Sequence, residues 1–520
     1  MKILYLILAM LSIAGYPIRG QALFDAGNEG RWTLPEGCEF LNSGNSNSRV
    51  LVVRNGDSAS TWGEFHMKTP ELSGKAIRVS YTVWCDGMSQ NQERHAGAKV
   101  LIFQSEESIP FATTARVKKK DERVTGVFYP GAGQNLTIRA GIRDISGLAV
   151  FKNLKLEILD AAEFYPLPDQ CPERVEYSST MQGRPVYRGF MSPSRFTAST
   201  ISEDMPEMRR WGANVVRWQL IRNWNRRDSD QSVEDYLSWI DSRIPEVKQV
   251  LDKAAELGMK VILDLHVPPG GRRIGGGEMN LFHCSGFVDG YLEAWKRLAR
   301  AVAGHPALYG YDLLNEPYQS EIPAKVMDYL SLQYKAAVTV RSIDPKTPVI
   351  IESNLNASPA AFRYLKPLPL RDVVYQVHMY MPAAYTHQGV GNELPRAAYP
   401  GIFRESYYGE KRYYNKAELR RVLQPVRDFQ RKYGAKILVG EFSVIRWAPG
   451  GERYLEDCIE IFEEYGWDWT YHAFREWSGW SVEHDGPKGN DSAARNDTLR
   501  KRVLLKYLRR NSRSEKVDEE

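Results

Sequence analysis

Pro245-Glu246-Val247-Lys248-Gln249-Val250-Leu251-Asp252-Lys253-Ala254-Ala255-Glu256-Leu257-Gly258-Met259-Lys260-Val261-Ile262-Leu263-Asp264-Leu265-His266 changes rhythm at Gly258. Before it, apolar Val247, Val250, Leu251 and Ala254 share one face of a helical period. Pro245 suits a first turn and Gly258 a stop, so the spacing predicts a helix over Pro245–Leu257. After it, Lys260–His266 is a short apolar run of the kind that makes a buried parallel strand. The same alternation recurs on both sides. Strands are expected at Val186–Met191, Asn214–Gln219, Leu308–Leu314, Pro348–Ser353, Val373–His378, Lys436–Glu441 and Trp467–Phe474. Helices are expected at Val288–Ala303, Ala324–Ser342, Lys416–Tyr433, Glu452–Tyr465 and Asn496–Arg509. Eight strands alternating with helical stretches imply a parallel sheet with crossovers, and their number fits a (β/α)8 TIM barrel. An open doubly wound sheet would show a glycine-rich first turn, whereas the first strand here ends Phe190-Met191-Ser192.

N-terminal to this region the period falls to two. Ile77-Arg78-Val79-Ser80-Tyr81-Thr82-Val83 alternates apolar and polar, as do Leu136–Ala140 and Leu154–Ile158. Val50–Val53, Val100–Phe103 and Val124–Tyr129 add further short strands, which points to a two-sheet sandwich of the jelly-roll kind. The chain therefore divides into a leader at 1–22, an all-β jelly-roll sandwich at 23–160, a linker at 161–183, the α/β barrel at 184–510 and a polar tail at 511–520. The leader rests on Lys2, the apolar run Ile3–Ala14 and the small residues of Gly20-Gln21-Ala22, the pattern of an export signal. No later stretch approaches ~18 apolar residues, so no integral membrane segment is expected once that leader is removed. The expected localisation is secreted or periplasmic.

In 520 residues, Lys and Arg total 69 against 64 Asp and Glu, a formal +5. That is too dilute for a nucleic-acid partner, which needs a concentrated basic stripe. The 13 Trp, 28 Tyr and 18 Phe suit a large core or a surface that stacks on ligands. Cys38, Cys85, Cys171, Cys284 and Cys458 match no zinc-ligand spacing, and unpaired buried cysteine is favoured over a Cys38–Cys85 disulfide.

Chemistry in a parallel barrel sits where strands end. The ionisable residues there are Arg217, His266, Glu316, His378 and Glu441, and the strands carrying the two glutamates face each other across the mouth. Two carboxyls about 5–5.5 Å apart serve double-displacement glycoside hydrolysis. At ~5 Å and an effective dielectric of ~20 they repel by roughly 3 kcal/mol, enough to keep one protonated near neutrality, while Arg217 beside the other keeps that one ionised.

Leu314-Asn315-Glu316-Pro317 and Val439-Gly440-Glu441-Phe442, so placed, resemble glycoside hydrolase family 5, the former cellulase family A, over about residues 180–510. The resemblance implies Glu316 as acid/base and Glu441 as nucleophile. It implies that Asn315 binds the sugar 2-hydroxyl, Arg217 supports the nucleophile, and His266, His378 and Tyr380 orient substrate and acid. Trp477 would be a sugar platform. Ser443 and Trp218 depart from the family's commoner Gly and Ile, which bears on substrate identity. The sandwich resembles a carbohydrate-binding module, with Trp32, Trp62 and Trp84 as stacking candidates or core aromatics.

A connection from Tyr380 to Asn415 carries Tyr385, Tyr399, Phe403, Tyr407, Tyr408, Tyr413 and Tyr414, which with Trp224, Trp447 and Trp480 would wall a sugar cleft. The glycine run Gly270–Gly277 lacks the Gly-Lys-Ser/Thr ending of a phosphate loop and is expected to be a rim loop. No metal and no cofactor is expected. The function expected is a retaining β-glycoside hydrolase acting on a carbohydrate substrate, first a β-1,4-glucan. A β-mannanase or an exo-β-glucosidase is the alternative within the family, and a non-hydrolytic carbohydrate-binding protein the alternative outside it.

Overall fold

The computed structural model describes residues 21–511 apart from 27–31, 43–48, 57–59, 71–75, 90–96, 105–110, 116–120, 129–134, 160–170, 195–198, 223–231, 273–278, 320–327, 364, 391–396 and 405–410. The first twenty residues of the expected leader, Trp224, Tyr407, Tyr408 and most of the tail lie outside the described residues.

The N-terminal region is a sandwich of antiparallel sheets. Its strands are β1 (Gln21–Asp25), β2 (Trp32–Thr33), β3 (Cys38–Asn42), β4 (Arg49–Asn55), β5 (Thr61–Lys68), β6 (Ala76–Asp86), β7 (Gly97–Gln104), β8 (Phe111–Ala115), β9 (Glu122–Phe128), β10 (Asn135–Arg143) and β11 (Gly147–Leu159). One sheet runs β3-β4-β11-β6-β9 with β1 also on β11, and the other runs β2-β5-β10-β7-β8. Alternate residues such as Val79, Tyr81, Val83, Ile138 and Leu156 fill the space between. Strand β5 escaped the sequence reading because Gly63 occupies an inward position between outward Trp62 and Glu64, which blurs the alternation. Trp32 is half-buried and packs on Phe24, Phe40 and Phe65 at the edge of the core. Trp62 and Trp84 are half-buried on strand positions that alternate with the core ones. Cys38 and Cys85 are unbonded to each other.

The second region is a closed parallel barrel of eight strands: β12 (Arg188–Met191), β13 (Val215–Gln219), β14 (Lys260–Asp264), β15 (Leu308–Asp312), β16 (Val349–Glu352), β17 (Val373–Met379), β20 (Lys436–Phe442) and β21 (Asp468–Tyr471). Strands β18 (Gly401–Arg404) and β19 (Lys411–Tyr414) form a hairpin within the long connection after β17. All eight strands fall inside the stretches expected from sequence or within a residue of them. The helix expected at Pro245–Leu257 is a single helix Val233–Glu256 with Pro245 in its interior. Its start is set by the Ser232 side chain, which accepts the Asp235 N–H, and by Glu234 and Asp235 in the first turn. That cap and the tertiary packing of Tyr236 and Ile240 outweigh the interior proline, which the sequence reading had taken as a first-turn residue. No helix of the described residues is long and apolar enough to cross a membrane.

Inside the barrel the period of two builds layers. Val215, Ile262, Ile350, Val374 and Leu438 form an apolar floor with Tyr309. Two residues further along the same strands stand Arg217, Asp264, Glu352 and Gln376, joined by Asp312, all fully buried. The active end of the barrel rests on this polar layer.

Candidate active site

Arg217 is the hub. Its Nη1 donates to Glu441 Oε1 at 2.7 Å, its Nε to Asp312 Oδ2 at 2.8 Å and its Nη2 to Asn315 Oδ1 at 2.8 Å. Asp264 Oδ2 and Glu352 Oε1 each lie 3.1 Å from Nη2. One guanidinium thus faces four carboxyls, and only its planar fork can meet them all. Tyr380 donates its hydroxyl to Glu441 Oε2 at 2.8 Å, so both oxygens of that carboxyl are held. Burial, then Glu441, pushes the Tyr380 hydroxyl well above its ordinary value, which keeps it a donor.

Backbone irregularity aims both glutamates. Between β17 and β20 the register slips: Val377 pairs with Val439, but His378 pairs with Glu441. Gly440 is the extra residue of this bulge, and a Cβ there would lie 2.4 Å from Gln376 Cδ. The motif glycine before Glu441 is therefore a packing requirement. Glu316 adopts the left-handed region, with φ of 46°, and its N–H donates to Glu352 Oε2 at 2.7 Å. His378 Nδ1 lies 3.1 Å from Glu316 Oε1, and Arg272 Nη1 lies 3.4 Å from Oε2. Arg272 is anchored by donating to the carbonyl oxygens of Asn315 and Glu316 at 3.3 and 3.1 Å. His266 bonds Asp264 through Nδ1 at 2.8 Å and faces Asn315 Nδ2 through Nε2 at 3.3 Å.

Oxygens of Glu316 and Glu441 and a nitrogen of His378 lie within 4.8 Å of one another. A metal could be written onto such a triplet, but His378 Nδ1 is already engaged by Glu316 and the Glu441 oxygens by Arg217 and Tyr380. The donor set reads as proton-handling machinery. Burial acts to raise the Glu441 carboxyl, yet the electrostatic pull of His378, His472, Arg217 and His266 outweighs it and holds it well below the carboxylate range. Glu316 differs from expectation. Burial and the neighbouring Glu441 push it up, but the His378 hydrogen bond and the Arg272 charge more than offset them, so it lies below its ordinary value. Mutual repulsion alone does not set the Glu316 carboxyl, because a cation from the β14 loop stands beside it.

Seven of the eight sequence-derived residues converge: Glu316, Glu441, Arg217, His266, Asn315, His378 and Tyr380. Trp477 stands on the rim, 42% exposed, edge-on to Trp447 and Trp480. Much of the expected aromatic wall is core instead. Tyr385, Tyr399, Phe403 and Tyr414 are buried against one another and Tyr454, fastening the long connection to the barrel, while Tyr413 is exposed. Trp447 and Trp480 are also largely buried. Sequence reading missed Arg272, Glu352, Gln376 and the pair His472–Glu476, whose Nε2–Oε2 distance is 3.0 Å beside the Tyr380 ring. Glu352 and Gln376 left a legible trace as polar residues in otherwise apolar strands, whereas Arg272, His472 and Glu476 lie beyond the strands and left none.

Two opposed carboxyls, one gripped by arginine and tyrosine and one by histidine, at the C-terminal mouth of a parallel barrel are the equipment of a glycoside hydrolase. Comparison with known proteins agrees. Residues 179–480, more than half of the chain, match the family described as Cellulase (glycosyl hydrolase family 5). Endoglucanase C of Acetivibrio thermocellus is 28% identical over 272 residues, covering 47% of this chain and 76% of that protein. Cellodextrinase A of Ruminococcus flavefaciens is 22% identical over 278 residues, covering 53% and 78%. The crystal structure of endoglucanase Cel5A from Thermotoga maritima is 22% identical, with 62% of this chain and 96% of that one covered at a TM-score of 0.45. The chain belongs to glycosyl hydrolase family 5.

Proposed function

We propose that this protein is an exported, retaining β-glycoside hydrolase that cleaves a β-1,4-glucan or its oligosaccharides, with Glu441 as nucleophile and Glu316 as acid/base. The observation that carries this is the spacing of the two carboxyls, whose closest oxygens with His378 lie within 4.8 Å. Such spacing suits direct attack, whereas an inverting enzyme leaves about 6.5–9.5 Å for a water. Glu441, ionised against Arg217 and Tyr380, attacks the anomeric carbon as the glycosidic C–O bond breaks and Glu316 gives its proton to the departing oxygen. Water then enters, Glu316 takes one of its protons, and the hydroxide released displaces Glu441. His378 turns the Glu316 carboxyl toward the bond, and Asn315, fixed by Arg217 and His266, offers its amide to the reacting sugar. The relatives named endoglucanase and cellodextrinase support glucan as substrate class. Export is supported by the leader-like residues 1–22.

The test is release of reducing ends from soluble β-glucans, mannan and xyloglucan by wild type and Glu441→Ala. Activity on glucan that falls by about 10⁴-fold or more in the variant is expected. Wild-type-like rates in Glu441→Ala overturn the nucleophile assignment, and activity confined to mannan overturns the substrate class.

A further inference from the structure

Below the two glutamates lie buried groups that the double displacement leaves unused. Glu352, at the end of β16, has no exposed surface. Its Oε2 accepts the N–H of Glu316, the residue held in left-handed backbone, while its Oε1 faces Arg217 Nη2 at 3.1 Å and the Gln376 amide nitrogen. The Gln376 amide can be oriented without ambiguity, because the same nitrogen also meets Asp312 Oδ2 at 3.0 Å. Its two N–H bonds go to those two carboxyls, and the amide so fixed packs 3.3 Å from His378 Nε2. The other ring nitrogen, Nδ1, lies 3.1 Å from Glu316 Oε1.

We propose that Glu352 is a positioning residue for the acid/base: it pins the Glu316 backbone through its N–H and, by holding the Gln376 amide, fixes the seat of the histidine that aims the Glu316 carboxyl. The proposal rests on the reading of Glu316 as acid/base. Through Arg217 the same side chain is tied to the nucleophile, so Glu352 couples the two halves of the site without touching substrate. Gly440 belongs to this device, since the Gln376 amide occupies the space that a side chain there would need. Burial, then the neighbouring Asp312, pushes the Glu352 carboxyl well above the ordinary range, yet both of its oxygens accept hydrogen bonds, which an amide nitrogen does not do.

Two substitutions divide these contacts. Glu352→Gln keeps a carbonyl oxygen for the Glu316 N–H but turns an NH2 toward the donors of Arg217 and Gln376, whereas Glu352→Asp keeps both acceptors and withdraws them by about one carbon–carbon bond length, some ~1.5 Å. Both are purified with Glu316→Ala, checked for a wild-type-like melting temperature, and assayed as kcat/KM on an unactivated glucan oligosaccharide and on an aryl glycoside with an acidic phenol leaving group. The aryl substrate departs without a proton, so only loss of acid function separates the two. Glu352→Asp is expected to lose about 30-fold or more on the oligosaccharide but less than about 3-fold on the aryl glycoside, with KM unchanged. Glu352→Gln, which sets a donor against Arg217 and Gln376, is expected to lose activity on both substrates. Equal loss on both substrates in the Asp variant, no loss at all there, or a Gln variant with wild-type rates on both overturns the proposal. Should Glu352→Asp not fold, Gln376→Met decides: this variant, which removes the amide packed against His378, must show the same selective loss. Glu316→Ala keeps the two questions apart, because absence of selective loss there refutes the acid/base reading itself.

Discussion

Gly440→Ala tests how the motif before Glu441 works. The added Cβ would lie 2.4 Å from Cδ, 2.6 Å from Oε1 and 2.7 Å from Nε2 of Gln376. Ordinary contact needs about 3.4 Å or more, so the amide must retreat by roughly 1 Å. It has nowhere to go. Gln376 is fully buried, and its nitrogen donates to Asp312 and Glu352 while packing beside His378. Overpacking costs about 1–3 kcal/mol and each buried hydrogen bond left unmade about 1–3 kcal/mol, so a net loss on the order of 2–4 kcal/mol follows after partial relaxation. At roughly 2 °C per kcal/mol for a domain of this size, the barrel transition should fall by about 4–8 °C in calorimetry. Displacing the amide also frees His378, and a misplacement of that size costs up to about 10²-fold in kcat/KM. A variant that melts within about 1 °C of wild type and turns over normally would refute the reasoning, since the bulge would then tolerate a side chain.

Arg272→Met should move the alkaline limb of kcat/KM upward. If Glu316 is the acid that this limb reports, removing a cation 3.4 Å from its Oε2 lets its value rise; a limb that stays put would separate Arg272 from the acid. His378, Glu441, Tyr380 and Glu352 also face Glu316 and are unchanged in this variant. Asp328, the buried cap of the helix Tyr329–Arg341, is pushed up by burial to about 7. Because its folded value exceeds the unfolded one, stability is lost as pH climbs from about 4 to about 7. Asp328→Asn should therefore melt higher than wild type at pH ~8 and equal to it at pH ~3, where both states are protonated; a pH-independent difference would contradict this. Trp477→Ala removes an exposed ring from the rim and should raise KM for oligosaccharides by about 10-fold with kcat kept, an effect worth ~1.4 kcal/mol of stacking. Unchanged KM would leave Trp477 without a platform role.

How much of this could be read in advance depended on whether the signal was local. The parallel strands announce themselves because they are buried on both sides, so runs such as Lys260-Val261-Ile262-Leu263 are apolar regardless of neighbours. In the sandwich, Thr61–Lys68 hid its alternation behind an inward glycine, and the Ser232 cap outweighed the proline signal at Pro245. Aromatic residues misled for a related reason. Tyr385, Tyr399, Phe403 and Tyr414 look alike on a chain whether they face sugar or one another, and packing area decided for the core.

By itself the sequence determined the order of strands and helices, the two periods that separate sandwich from barrel, and which strand ends carry Arg217, His266, Asn315, Glu316, His378, Tyr380 and Glu441. These follow from near-neighbour spacing, which burial and backbone geometry enforce one segment at a time. Tertiary structure alone decided that four carboxyls share one guanidinium, that Gly440 must stay bare for Gln376, and that Arg272 reaches the acid from another loop. Those relations join residues up to 224 positions apart, as Arg217 and Glu441 are. Their energies depend on distances of a few ångströms that exist only once the barrel has closed.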